Sequence, residues 1–205
     1  MTPPGAGAEL PLFPLRSVLF PDGLLELKIF EARYLDLMSR CMREHSPFGV
    51  VCLKHGREVK GAEGVELCDV GTTAELIDVD SASAGILLVR CRGGSRFRLG
   101  ATRQEPDGLW VGQASAIEGE AAVAPSPSQA DIVKNLVEAI AALAAQGARP
   151  FLEPYRFDDA GWVADRWCEI LPLPVEAKQR LLTLMDPLAR LDVVDSLMRI
   201  KRDDH

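Results

Sequence analysis

The sequence predicts an α+β fold: a β-rich N-terminal part that holds one early helix, followed by a helical C-terminal part. Three observations carry this reading. Apolar residues alternate with a period of two through much of 67–118, as half-buried strands require. Beyond 119–127 (Gly-Glu-Ala-Ala-Val-Ala-Pro-Ser-Pro) the period changes to 3.6. A single helical stripe, Leu35, Met38, Cys41 and Met42, interrupts the strands near the N-terminus. A chain of 205 residues with 47 % apolar side chains is long enough to bury a real core.

Residues 1–8 have neither the basic nor the apolar region of a leader and read as a flexible tail. The next run, Leu10-Pro-Leu-Phe-Pro-Leu-Arg-Ser-Val-Leu-Phe-Pro-Asp-Gly23, sets three prolines among bulky apolar side chains. Proline has no backbone donor, so a central strand is not expected to run unbroken through Pro11, Pro14 and Pro21. Leu10, Leu12, Phe13, Leu15, Val18, Leu19 and Phe20 still need burial, which predicts a winding edge segment pinned to a core. A strand over 24–30 leads to a helix over 31–45, ended by Pro47, and a short apolar strand over 48–53. Residues 54–66, glycine-rich and charged, read as an exposed loop.

Strands over 71–79 and 85–92 are joined by the polar turn 80–84. Gly93-Gly94 then reads as a hairpin turn. A two-residue loop would put Arg96 opposite Cys91, on the apolar face. A three-residue loop, 93–95, pairs Phe97 with Cys91 and Leu99 with Val89, leaving Arg90, Arg92, Arg96 and Arg98 together on the other face. Asp107-Gly108 turns the chain into a last strand over 109–117. The organisation expected is therefore a tail at 1–8, a β-rich domain at 9–118, a linker at 119–127 and a helical subdomain at 128–205. In that subdomain Ser128-Gln-Ala-Asp131 suits a capping box. Ile132, Val133, Leu136, Val137, Ile140 and Leu143 form the stripe of its first helix. Shorter helices follow at 158–170, 175–185 and 187–201, with Asp158 and Asp159 favoured at an N-terminus by the helix dipole.

Composition excludes several functions. The net charge is −7, and residues 1–118 (13 basic, 16 acidic) and 119–205 (10 and 14) are both acidic, unlike a general nucleic-acid binder. No apolar run is long enough to span a bilayer. Five scattered cysteines make no disulfide framework, and the cytoplasm is the expected compartment. Cys41, His45, Cys52, His55 and Cys68 offer Cys-x₃-His and Cys-x₂-His spacings but no Cys-x₂-Cys knuckle. Cys41 on a helix stripe and Cys52 in an apolar strand read as small hydrophobes, so no metal and no cofactor are expected. No serine sits in a Gly-x-Ser-x-Gly elbow.

Several fragments in order resemble the substrate-binding (N-terminal) domain family of Lon proteases: Leu10-Pro-Leu-Phe-Pro-Leu-Arg16, Leu19-Phe-Pro21, Ile29-Phe-Glu-Ala-Arg-Tyr34, Phe48-Gly-Val-Val51, Gly71-Thr72, the Gly and Arg-Phe-Arg of 89–99, and Leu171-Pro-Leu-Pro-Val-Glu-Ala-Lys-Gln-Arg-Leu-Leu182. The resemblance runs through almost the whole chain. It implies a PUA-like pseudobarrel followed by a helical bundle, and it offers no catalytic residues to transfer. Full Lon proteases continue into an ATPase and a Ser–Lys protease, and the phosphate-cradling Gly-x-x-x-x-Gly-Lys-[Ser/Thr] loop is absent from these 205 residues. The expected function is non-enzymatic recognition of exposed or unfolded segments of client polypeptides, with a separate protease or chaperone as a further partner.

Two groups of residues are candidates for contact. Phe151, Tyr155, Phe157 and Trp162, the most aromatic stretch, suit either a core or, with Trp110, the wall of a peptide groove between the two parts. An exposed sheet edge near the proline-rich run could instead accept a peptide strand. Arg90, Arg92, Arg96 and Arg98 suit either a solvated face matched by acids or an anion-binding face for acidic peptide or RNA. Single-stranded RNA also wants aromatic stacking platforms, and with 6 % aromatics and Phe97 facing inward nucleic acid is disfavoured. A PUA-like RNA-binding module is the alternative, marked by steep salt dependence. A hydrolase or transferase hidden in a cleft is the third.

Overall fold

A computed structural model describes residues 7–55 and 64–203. The chain forms two compact units, Met1–Gly119 and Glu120–His205. The first contains β1 (Ala8–Leu15), β2 (Leu24–Ile29), α1 (Ala32–Glu44), β3 (Phe48–His55), β4 (Glu66–Ser83), β5 (Ile86–Gln104) and β6 (Trp110–Ala116). The second contains α2 (Ala130–Ala145), α3 (Ala160–Ile170), α4 (Val175–Thr183) and α5 (Pro187–Asp203). Most of the expected tail and residues 56–63 of the expected loop lie outside the described residues.

The sheet order is β2-β5-β4-β3-β1-β6, and β6 also pairs with β5. That last pairing closes β5, β4, β3, β1 and β6 into a barrel, with β2 attached to the first half of β5. The fold is α+β, as the periodicity predicts.

The turn expected at 80–84 shrinks to 84–85, because β4 runs on to Ser83 opposite Ile86, and two further elements of the β unit depart from expectation. The proline-rich run is a true strand inside the sheet. β1 pairs with β6 over residues 8–12 and with β3 over 12–15. Pro11 and Pro14 thus each fall where β1 has one neighbour only, and a missing N–H is tolerated on an open side. The hairpin at 93–95 does not exist. β5 is one strand of 19 residues, beside β2 in its first half and β6 in its second. Gly93 and Gly94 lie within that strand because of close approach. A Cβ on Gly93 would lie 2.1 Å from the Phe20 carbonyl oxygen. Here the Gly93 N–H donates to Gly23 O (2.9 Å) and its carbonyl accepts from Asp22 N–H (2.8 Å).

Helix α1 packs on one face of the sheet. Tyr34, Leu37, Met38 and Cys41 are buried with Phe13, Ile29, Phe48, Val89 and Cys91, and Phe13 stacks on Tyr34 at 4.1 Å. Each fully buried apolar side chain of this size contributes about 1.5–3 kcal/mol. A second cluster, Leu10, Leu12, Val51, Phe97 and Ala114, lies on the opposite face of the sheet, since Leu12 and Val51 adjoin Phe13 and Val50 and successive strand side chains point opposite ways. The helix ends at His45, which adopts the left-handed conformation (φ 49°) with its N–H on Cys41 O.

In the second unit residues 120–127, expected as a linker, are held in place. Glu120 accepts two hydrogen bonds from Arg190 (2.7 and 2.6 Å), and Val123 O accepts from Ala160 N–H (2.8 Å). The capping box sits two residues before its expected place, at Ser126 and Gln129, because Pro127 suits the first helical position. Asp159 caps α3, accepting from Gly161 and Trp162 N–H, and Asp186 caps α5. The α2 stripe is narrower than its apolar residues suggest: Ile132, Leu136 and Ile140 are buried and Val137 is exposed. No helix among the described residues is long and apolar enough to cross a membrane.

Candidate functional site

The four arginines do not form one exposed face. Arg90 lies between Glu26 on β2 and Asp78 on β4, and its Nε is 3.3 Å from Glu26 Oε1. Arg92 lies opposite Glu75 and is 3.9 Å from Asp22. Arg98 is exposed, opposite Val70 and Ser115. Arg96 is only 7 % exposed. Between Gly93 and Arg96, β5 advances one residue further than β4, a bulge that takes Arg96 out of line with Arg90 and Arg92. Glu26, Asp78, Glu75 and Asp22 surround Arg90 and Arg92, so this sheet face carries no cationic excess for a phosphate backbone.

The aromatic candidates fall in different units. Trp110 opens β6, half-buried on the cluster of Leu10, Leu12 and Phe97. Phe151, Tyr155 and Phe157 surround Trp162 in the helical unit, with ring centroids 6.4, 6.0 and 5.5 Å from it. The Arg166 guanidinium lies 5.5 Å from the Trp162 ring centre and 5.7 Å from that of Phe151, and pairs with Glu169 at 2.7 Å. Phe151 and Trp162 are buried, and only Tyr155 and Phe157 of this group are half-exposed. The arrangement is that of a packed core around a buried guanidinium.

The five cysteines are all buried and free. Burial raises the Cys41 and Cys68 thiols and pushes Cys91 up to about 12, the reverse of a reactive thiolate. The side chain of His55 lies outside the described residues. Among the described residues no group of three or more His, Cys, Asp or Glu is placed to hold a metal.

A groove that the sequence did not single out lies in the β unit. It has a volume of about 500 Å³ and is bounded by Cys41 and Met42 of α1, the connector His45-Ser46-Pro47 and residues 75–79 of β4. Its origin is local. Pro47 has no N–H, and β3 begins pairing with β4 only at Phe48, opposite Ala74. Beyond Ala74, β4 pairs with β5 alone among the described residues. Between Leu76 (opposite Cys91) and Asp78 (opposite Arg90), β4 takes two steps to β5's one. This bulge frees Ile77 from the inward-outward alternation. Ile77 is 44 % exposed and Met42 50 %, whereas Leu76 and Val79 pack against the core beneath. Among the described residues no ion pair or side-chain hydrogen bond reaches Glu75 or Asp78. The signal in the sequence is faint: Met42 continues an apolar stripe, and Ile77 sits in a strand with Leu76 beside it. A second groove of about 450 Å³ shares Ser46 and Pro47 and mixes apolar residues such as Leu10 and Val111 with Arg103, which bridges Glu9 and Glu105.

Residues 9–199 match the family described as the ATP-dependent protease La (LON) substrate-binding domain. The chain belongs to this family. A crystal structure of a Lon N-terminal domain protein from Xanthomonas campestris is 32 % identical, with a TM-score of 0.74 over 92 % of this chain and 98 % of that one. The N-terminal domain of a Mycobacterium avium complex Lon protease shares the fold at 15 % identity, with a TM-score of 0.64. Lon protease of Anaeromyxobacter dehalogenans and Lon protease 2 of Myxococcus xanthus are each 26 % identical over 96 % and 99 % of this chain. The chain spans about a quarter of the length of these two relatives (24 % and 26 %). A Lon substrate-binding domain is a substrate-recognition module and is not itself catalytic. Within this one, the α1–β4 groove sets the exposed Met42 and Ile77 beside a stretch of β4 that has no strand on its outer side among the described residues.

Proposed function

We propose that this protein recognises exposed or unfolded apolar segments of client polypeptides, without catalysis, at the groove between α1 and β4. One observation carries the reading: Met42 and Ile77 are held half-exposed on either side of a groove in a member of a substrate-binding family. Burying the exposed part of each against a client contributes about 1 kcal/mol. That magnitude suits weak, broad capture, and a flexible methionine suits clients of varied shape. In this reading the protein presents its clients to a protease or chaperone. Five free, buried thiols suit a reducing compartment, and the cytoplasm is where we place it.

The test is a fluorescence-anisotropy titration of the full chain against labelled ribonuclease that has been reduced and alkylated so that it stays unfolded, with native ribonuclease as control. Binding of the unfolded form alone, persisting at moderate salt and weakened about tenfold by Met42→Glu with Ile77→Ser, is the expected result. Equal affinity for native and unfolded ribonuclease, or an unaffected double variant, would overturn the proposal.

A further inference from the structure

Residues 75–79 of β4 combine features that a generic apolar patch lacks. Their outer edge carries backbone donors and acceptors with no strand beside them among the described residues, directly in line with β3, which stops at Phe48. An unpaired edge of this kind is a template for another chain. Five strand residues span about 17 Å, the length of a short extended segment. Alternate side chains of a segment laid there would meet Met42, Leu76 and Val79 on the groove side. The outer rim is acidic: Glu75 and Asp78 lie opposite Arg92 and Arg90, but those arginines reach Asp22 and Glu26.

We infer that the β4 edge takes a client segment as an added strand, and that Glu75 and Asp78 select apolar segments flanked by lysine or arginine. This rests on the client-recognition reading and deepens it. The same acids argue against a second copy as the occupant. Two β4 edges side by side would set Glu75, Asp78 and Asp80 of one chain against those of the other, and like charges across strands repel. Acidic and neutral segments would lack the charge match, whereas a basic one supplies it at the point where β4 presents open hydrogen-bonding groups.

Three fluorescent nonapeptides test this with the full chain: an alternating Val/Leu core flanked by lysines, the same core flanked by glutamates, and the lysine peptide N-methylated at every core residue. The lysine peptide should bind at least about tenfold tighter than either of the others, because N-methylation removes strand pairing and leaves the side chains. The Glu75→Lys/Asp78→Lys variant should reverse the flank preference, and Glu75→Gln/Asp78→Asn, which keeps the shape, should abolish it. Equal binding of the methylated peptide overturns strand addition, and an unchanged flank preference in both variants overturns the selection. If unfolded ribonuclease still binds in either of those cases, the recognition reading stands and this inference alone falls. If unfolded ribonuclease does not bind at all, both fall.

Discussion

Replacing Gly93 by alanine tests the central departure of the fold from its sequence pattern. The added Cβ would stand 2.1 Å from the Phe20 carbonyl oxygen, 3.1 Å from its carbon and 3.3 Å from Leu19 Cδ1. Ordinary carbon–oxygen approach is about 3.3 Å or more, so one backbone must retreat by roughly 1 Å. Retreat breaks or stretches the two hydrogen bonds that tie 22–23 to Gly93, 2.8 and 2.9 Å long. Their loss costs about 1–3 kcal/mol together, and forced repacking adds about 1–3. The expected destabilisation is about 2–6 kcal/mol. At Gly94 the nearest obstacle, 2.5 Å away, is the Thr73 hydroxyl, a side-chain atom that can rotate away from its bond to Ser95 O. Gly94→Ala should therefore cost only about 1 kcal/mol. Urea unfolding of the full chain, followed by mass-spectrometric labelling of Cys91 at the centre of the β unit, measures both. A Gly93→Ala protein within about 0.5 kcal/mol of the parent, or a Gly94→Ala protein that is the weaker of the two, would refute the continuous β5 strand and favour a turn.

In the helical unit, Arg190→Leu leaves Glu120 and Asp165 without the guanidinium that bridges them at 2.6 and 3.0 Å, and should destabilise the unit by about 3–5 kcal/mol in urea unfolding read by Trp162 and Trp167 fluorescence. Burial raises the Glu169 carboxyl to about 8 against the pull of Arg166, whereas the unfolded chain loses that proton near 4.5. Between those values the native state holds more protons, so stability should fall as pH rises from about 4.5 to 8, and Glu169→Gln should flatten that slope in urea midpoints measured at pH 5, 6, 7 and 8. The buried thiols should ignore Ellman's reagent in the native protein and give five equivalents in guanidinium, and a prompt reaction of the folded chain would contradict their burial.

Much of the fold is legible because its periods are clean. The change from alternation to a 3.6-residue repeat separates strands from helices, and Asp159 announces its helix through the same chemistry by which it caps it. The failures share a cause. In an isolated chain Pro11, Pro14, Gly93 and Gly94 signal the end of a strand or a turn. In the folded protein each is placed by a neighbour. The prolines sit where β1 has one partner, and Gly93 sits where the 20–23 backbone presses on β5. A single arginine face requires a turn at 93–95, and the continuous β5 with its bulge before Arg96 does not provide one. Ser126 rather than Ser128 caps the α2 entrance since Pro127 decides which residue comes first.

The candidate site was the least legible part, and its construction explains why. It needs three features, each unremarkable alone: a left-handed His45 that ends α1, a Pro47 that delays β3, and a bulge at Ile77. The first two leave the far half of β4 without a strand on one side among the described residues. The third turns an apolar side chain outward beside that open edge. A protein with only structural demands would be served by covering such an edge or shortening the strand. Here β4 runs on to Ser83 with acids at 75, 78 and 80, which repel a like edge and leave a basic one welcome. Stability alone does not account for that combination, whereas the proposed capture of extended client segments would.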